Sequence, residues 1–347
     1  MFKLSNRRFM GAKTKLLASL NEIISHHISF NAKNNIFLDL FGGTGVVSEF
    51  FIKEKIFDEF IINDFLYSSH IIYQGFLEQK EFDLKKLEEI QKKYNLLTHI
   101  KENYYSKHFG DKFFSFNDAK NIGFIRDDLD KKLKQNKISQ KEYHILLSSL
   151  FYSVDKIANT VGHYDAYRKN ILLKDRFKFE LIEPIKTDKK IKIYNQDANL
   201  LAKELQKDFL KNKIKCVFLD PPYNSRQYSR FYHLLETLAK NDKNELFGIA
   251  KKPKPENISG YCKAEAKELF KDLIKNLAKI TEYVVLTYNN TSSANTRSNI
   301  RINDNEINEI LNSVGKLEII EITFKPFSSG KTDFKDHKER IFLCKID

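Results

Sequence analysis

The sequence predicts an α/β protein built on a seven-stranded, mostly parallel sheet, with a mainly helical segment inserted into it. Three observations predict this. Short apolar runs alternate with helical patterns, as a parallel sheet covered by helices requires. A glycine loop follows the first of those runs, at the edge where such sheets bind ligands. The alternation stops near Gly75 and resumes near Lys190, and the residues between are charged, helix-leaning and rich in Tyr, Phe and Lys.

Taken in order, the pattern predicts a helix over Lys13 to His27, a strand over Ile36 to Leu40, a helix over Val46 to Lys55 and a strand over Glu59 to Asn63. After the interruption come strands at Lys192 to Tyr194, Cys216 to Leu219, Tyr283 to Thr287, Leu317 to Phe324 and Ile341 to Ile346. Helical stretches stand around Leu200 to Leu210 and Ala264 to Ile280. The last two strands have no helical pattern between them, so they form an antiparallel pair at the sheet edge. Residues 1–74 and 191–347 then make one domain, and residues 75–190 an insertion. With 24 basic against 18 acidic residues, the insertion is mildly basic.

Composition narrows the function classes. At 41% hydrophobic and 30% charged, the chain is too apolar for disorder and ordinary for a globular protein. No apolar run approaches the roughly 20 residues that span a bilayer, and the opening Met-Phe-Lys-Leu-Ser-Asn-Arg-Arg lacks a signal-peptide core, so a cytoplasmic protein without a membrane partner is expected. Cys216, Cys262 and Cys344 are isolated, which predicts neither a disulfide framework nor a metal site. A net charge of +13 fits a polyanionic partner, and fits equally a chain-wide bias towards Lys, Asn, Ile and Phe. Placement is more specific: Arg7, Arg8, Arg226, Arg230, Arg297 and Arg301 lie in or just after the motif segments, where a guanidinium can fork a phosphate.

The glycine loop reads Asp39-x-Phe41-x-Gly43-x-Gly45. Glycine allows close backbone approach to a ligand, yet the third glycine of the dinucleotide fingerprint and the P-loop lysine are both missing. A nicotinamide cofactor or ATP is therefore disfavoured. At the end of the second strand stands Asp64, placed to accept the hydroxyl hydrogens of a ribose or, more simply, to cap a turn.

A second motif, Asp220-Pro221-Pro222-Tyr223, follows an apolar strand directly. Two prolines fix the backbone and leave its carbonyl oxygens presented, and the carboxylate adds a strong acceptor. Together they can accept both hydrogens of an exocyclic amino group, drawing the nitrogen lone pair out of ring conjugation so that it can attack a sulfonium methyl. Tyr223 can stack on the face of the base.

These motifs, in this order along most of the chain, resemble the alpha-class, Dam-like DNA adenine methyltransferases. The resemblance implies a Rossmann-like methyltransferase sheet, S-adenosylmethionine as cofactor, and an adenine flipped out of duplex DNA as substrate. Arg8-Phe9-Met10-Gly11-Ala12-Lys13 resembles the family's first motif and implies that Phe9 and Lys13 contact the cofactor. The short match at Asn195-Gln-Asp197 implies a contact from Asp197. The insertion stands where the family keeps its target-recognition domain. There Asn159-Thr-Val-Gly-His163-Tyr164-Asp-Ala-Tyr167-Arg168 resembles a segment of related members, implying DNA contact by His163, Tyr164 and Arg168, although the same cluster fits a packed turn. Thr287-Tyr-Asn289-Asn290 resembles a motif near the flipped base. With Arg226 and Arg297, Asn289 and Asn290 complete the expected DNA-facing set.

The expected cofactor set is thus Phe9, Lys13, Asp39, Phe41, Gly43, Gly45, Asp64, Asp197 and Asp220. The catalytic set is Asp220, Pro221, Pro222 and Tyr223. A restriction-modification role with a cognate endonuclease, nucleoid association and no metal complete the expectation. Three other readings stay open: amino-group methylation of cytosine, methylation of RNA or protein, and a DNA-binding module of this fold that has lost turnover.

Overall fold

The computed structural model describes residues 2–7, 9, 11–289, 301–323 and 338–347. Asn290 and Arg297 lie outside the described residues. A 3-10 turn at Lys13–Leu16 leads into α1 (Leu17–His27), followed by β1 (Ile36–Asp39), α2 (Val46–Glu54), β2 (Glu59–Asn63) and α3 (Tyr67–Phe76). Next come α4 (Leu84–Asn95), α5 (Tyr104–Phe109), α6 (Phe116–Lys134) and α7 (Gln140–Ile157). An irregular stretch then returns the chain to β3 (Lys190–Tyr194), α8 (Ala198–Phe209) and β4 (Ile214–Leu219). The remainder holds α9 (Tyr228–Phe231), α10 (His233–Lys240), α11 (Ala266–Leu277), β5 (Thr281–Asn289), α12 (Asp304–Asn312), β6 (Gly315–Thr323) and β7 (Lys338–Ile346).

Among the described residues the sheet has seven strands in the order β3-β2-β1-β4-β5-β7-β6. β1 to β5 run parallel, and β7 is antiparallel to both β5 and β6. The antiparallel edge pair is as the sequence predicts. β1 and β4 are buried at every position, because helices cover both faces of the sheet. Successive side chains alternate between two cores: Phe37, Phe60 and Phe218 pack with α1, α2 and α3, whereas Leu38, Ile61 and Val217 pack with α8, α11 and α12. Strand order reverses between β1 and β4, which opens a crevice at their carboxyl ends.

The helices of residues 75–190 add to the α3 side of the sheet. Leu146, Leu150 and Val154 of α7 belong to the same hydrophobic core as Phe37 and Phe60. Contact between α3 and α7 is close enough that a Cβ on Gly75 would lie 2.6 Å from the His144 carbonyl oxygen. Distant side chains also cap α3 at both ends. Glu236 of α10 accepts the backbone N–H groups of Tyr67 and Ser68, and buried Lys141 donates to the carbonyls of Gln74, Gly75 and Glu78.

Candidate active site

Local geometry of the glycine loop follows from its residues. Gly43 and Gly45 have φ of +54° and +81°, a region that L side chains rarely adopt, and Gly45 starts α2. The Gly43 carbonyl accepts hydrogen bonds from Arg7 (3.1 Å), Ser69 Oγ (3.0 Å) and Tyr73 Oη (2.7 Å). Its N–H donates to Asp64 Oδ2 at 2.7 Å, while Leu66 N–H donates to Oδ1 at 2.8 Å. Asp64 therefore ties the end of β2 to the loop after β1. Asn63 adds a second tie, with Nδ2 donating to the carbonyls of Leu40 and Gln196.

These loops wall a cleft of about 930 Å³ at the crevice between β1 and β4. Phe9, Lys13, Phe41, Gly43, Asp64, Asp197, Asp220 and Pro222 all line it, so most of the expected cofactor set meets in one place. Asn63, Tyr228, Ser259 and Tyr261 line it as well and carry no sequence motif that would have marked them. Asp197 also caps α8, with Oδ1 accepting from Asn199 and Leu200 N–H.

Two members of the expected set stand elsewhere. Asp39 is 1% exposed and lies behind the cleft lining, its Oδ2 accepting from Ser48 Oγ at 2.7 Å. Gly45 also stays off the lining, because Tyr73 and Leu4 pack against it and a Cβ there would come within 2.8 Å of the Tyr73 ring.

At the mouth of the cleft the Asp220-Pro221-Pro222-Tyr223 loop leaves β4. Asp220 Oδ1 pairs with Lys13 Nζ at 2.9 Å and accepts from Thr287 Oγ1 of β5 at 3.0 Å. Pro221 is buried within the loop, and Arg301 N–H holds the Tyr223 carbonyl at 3.2 Å. The Tyr223 ring meets Tyr288 edge-on and faces a second, open groove of about 2290 Å³. Phe9, Gly11 and Ala12 are shared by groove and cleft, so the two spaces meet there, with Asp220 lining the cleft and Tyr223 the groove. The far wall of the groove comes from the irregular stretch after α7, including Asn159, Arg168, Lys174 and Arg176.

The remaining DNA-facing expectations divide. Arg168 is exposed in the groove, and Arg226 and His163 share a separate surface hollow with Arg230. Tyr164 is a correction: it is fully buried, its hydroxyl donates to Asp155 at 2.5 Å, and its carbonyl meets His233, so it packs the turn and does not reach solvent. Arg7 is a second correction, since it is buried against the Gly43 and Thr44 carbonyls and is committed to the glycine loop. Asn289 ends β5 beside the site.

The cleft concentrates negative charge. Burial pushes the Asp39 carboxyl up to about 7 despite its Ser48 hydrogen bond, with Asp220 and Asp64 adding repulsion. Burial likewise pushes Asp64 up to about 6, against the lowering effect of the Leu66 and Gly43 N–H groups and of Arg7. A cationic ligand would relieve this strain. Among the described residues no group of side chains could hold a metal ion, and no helix is long and apolar enough to cross a membrane.

Comparison with known proteins bears directly on this geometry. The chain is 30% identical over 96% of its length to the Type II methyltransferase M.FokI of Planomicrobium okeanokoites, covering 51% of that protein. It is also 30% identical over 96% of its length to the modification methylase StsI of Streptococcus sanguinis, covering 50% of it. The chain thus spans about half the length of these two relatives. Against the Type II methyltransferase M.NlaIII of Neisseria lactamica it is 29% identical, with 95% of each chain covered. Residues 9–287, from the phenylalanine at the cleft to the threonine that anchors Asp220, match the D12 class N6 adenine-specific DNA methyltransferases, and the chain belongs to that family.

Proposed function

We propose that the protein transfers a methyl group from S-adenosylmethionine to the exocyclic amino nitrogen of an adenine extruded from duplex DNA. The observation that carries this reading is Asp220, held on the cleft wall by Lys13 and Thr287, with Tyr223 of the same loop lining the groove. The cofactor fits the cleft chemically, since buried carboxylates with raised proton affinity favour a cation. Asp64, Phe41, Phe9 and Asp197 would hold it, and when bound it supplies a methyl carbon made electrophilic by a sulfonium.

Asp220 and the Pro221 carbonyl would accept the two amino hydrogens, leaving the nitrogen lone pair free to take up the methyl group. Asp220 and solvent would take up the proton that the nitrogen releases on gaining the methyl group. Tyr223 would stack on the extruded base, offsetting part of the few kcal/mol that extrusion costs.

Residues 75–190 would serve as the target-recognition part. Arg168 in the groove, and Arg226 and His163 in their separate hollow, would meet DNA, with Asn289 near the extruded base. Relatives named Type II methyltransferase and modification methylase support a restriction-modification role; a cognate endonuclease would complete such a system, and action on DNA would bring the protein to the nucleoid. Family membership and the intact Asp220 favour adenine over cytosine, and turnover over mere binding. Single-molecule sequencing of DNA from cells expressing the gene tests the proposal. Modified adenine in a fixed sequence context is expected; modified cytosine, or no modification, would refute it.

Two further expectations arise here. Asp64→Ala should weaken S-adenosylmethionine binding by about 1.5–3 kcal/mol, the scale of a lost charge-assisted hydrogen bond. In the parent, affinity measured by calorimetry should rise between about pH 5.5 and 7.5, because Asp64 and Asp39 ionise through about 6 and about 7 and only the ionised forms attract a cation. Stability of the free protein should run the other way, falling between about pH 4 and about pH 7. Folded carboxyls with raised values keep protons that the unfolded chain has already lost, so the stability they contribute at low pH disappears as pH rises. Unchanged affinity in a folded Asp64→Ala protein would remove Asp64 from the site.

Direct transfer also needs no thiolate. Cys216, Cys262 and Cys344 are all buried, and burial pushes the thiols of Cys262 and Cys344 up to about 11 and that of Cys216 higher still. Replacing all three with alanine or serine should leave turnover largely intact, with some loss of stability. An essential cysteine in a stably folded variant would mean a covalent mechanism.

A further inference from the structure

Lys13 is shared between two carboxylates, and only one of them belongs to a recognised motif. Its Nζ lies 2.9 Å from Asp220 Oδ1, 3.3 Å from Glu339 Oε1 and 3.3 Å from the Gly11 carbonyl oxygen. An ammonium has three hydrogens, and these three acceptors use all of them. Glu339 sits near the start of β7, opposite Asn289 at the end of β5. Because β7 runs antiparallel, its first residues reach the edge where the parallel strands end, so a residue more than a hundred positions after Asp220 arrives behind the same lysine. Glu339 lines neither the cleft nor the groove and is 9% exposed.

We propose that Glu339 is a positioning residue for the amino-group acceptor, acting through Lys13. The inference rests on the methyl-transfer reading and adds to it a residue that touches neither substrate nor cofactor. Lys13, Asp220 and Glu339 together carry one positive and two negative charges, with the Tyr223 phenol also facing Lys13. Lys13 paired with Asp220 alone would neutralise the carboxylate that has to accept the amino hydrogens. Sharing the ammonium with Glu339 leaves Asp220 net negative character and still fixes its Oδ1. It also sets the direction of Lys13, which could otherwise swing over Asp220 into the space of the incoming base. Lys13 supports the same picture: burial acts against its charge, but Asp220 and Glu339 outweigh burial and hold its ammonium well above the ordinary lysine value. The Glu339 carboxyl is itself held above its ordinary value by burial, against the pull of Lys13.

Single-turnover methyl transfer to duplex DNA, S-adenosylmethionine affinity and thermal unfolding are measured on the parent, Glu339→Gln, Glu339→Ala and Glu339→Asp. Glu339→Gln keeps an oxygen for Lys13 and removes the charge, so the transfer rate should fall about 10-fold, the scale seen when a group one step behind a reacting centre is lost. Cofactor affinity and KM for DNA should stay within about 2-fold, Glu339→Asp should recover most of the rate, and Glu339→Ala should lose more than Glu339→Gln. Rates within about 2-fold of the parent for both Gln and Ala variants would overturn the proposal. So would a rate loss matched by an equal loss of cofactor affinity, which would make Glu339 part of the cofactor site. Unfolding at the parent's temperature separates these outcomes from misfolding, and Glu339→Asp repeats the test if Glu339→Ala does not fold. Methyl transfer by the parent to an acceptor other than adenine would refute the functional reading, while the variant-to-parent ratio on that acceptor would still decide the role of Glu339.

Discussion

Replacing Asp220 with alanine should lower single-turnover methyl transfer to adenine-containing duplex by about 100-fold or more. The lost acceptor strengthens as positive charge develops on the amino nitrogen, so the loss falls on the chemical step. The structure adds a second cost. Asp220 Oδ1 is what Lys13 and Thr287 hold, so the variant leaves the ammonium with Glu339 as its remaining carboxylate partner. Asp220→Asn keeps a neutral acceptor at the same place and should do less harm. DNA affinity should survive both changes, because phosphate contacts supply most of it. Quenched-flow transfer assays and DNA-binding titrations on the same preparations check this, and near-parental transfer by a folded Asp220→Ala protein would remove Asp220 from the mechanism.

Gly75→Val should cost about 3 kcal/mol of stability or more, at the upper end of what overpacking a tight helix contact does. A Cβ at residue 75 would lie 2.4 Å from Ser148 Oγ and 2.6 Å from the His144 carbonyl oxygen. A hydroxyl can rotate away, but the α7 backbone cannot move without disturbing Leu146 and Leu150 in the shared core. Since α7 and the sheet pack into that one core, thermal or denaturant unfolding should remain a single transition that moves to lower temperature as a whole. Two separated transitions, with the sheet unaffected, would show residues 75–190 to be energetically independent.

Features written in contiguous residues were legible in the sequence. β1 running into Gly43 and Gly45, and β4 running into Asp220-Pro221-Pro222-Tyr223, combine an apolar strand with residues of restricted or unusual backbone freedom, and both stand where expected. The antiparallel edge pair was legible because no helical pattern separates its strands. Helix ends were less so: the stretch expected as one helix from Lys13 begins as a 3-10 turn, and α1 starts only at Leu17. α9 and α10 were not marked, since a short segment such as Tyr228–Phe231 shows too little periodicity to stand out.

Partners brought together by tertiary structure were not legible at all. Glu339 and Tyr73 meet Lys13 and Gly43 from β7 and α3, and neither lies in a pattern that points to them; Thr287 opens a segment expected near the base, but nothing in it marked its hydrogen bond to Asp220. The two corrections share one cause. Arg7 and Tyr164 have side chains suited to phosphates and bases, yet each carries polar atoms that a buried carbonyl or carboxylate can satisfy, and burial decided their use.

The most direct test of the account is the identity of the modified nucleoside. The purified protein would be incubated with methyl-labelled S-adenosylmethionine and mixed-sequence duplex DNA, and the DNA then digested to nucleosides and separated. Label is expected in N6-methyladenosine of the deoxy series, present with the parent and nearly absent with Asp220→Ala. Label in N4-methylcytosine, or no label from a folded protein that binds both cofactor and DNA, would contradict it.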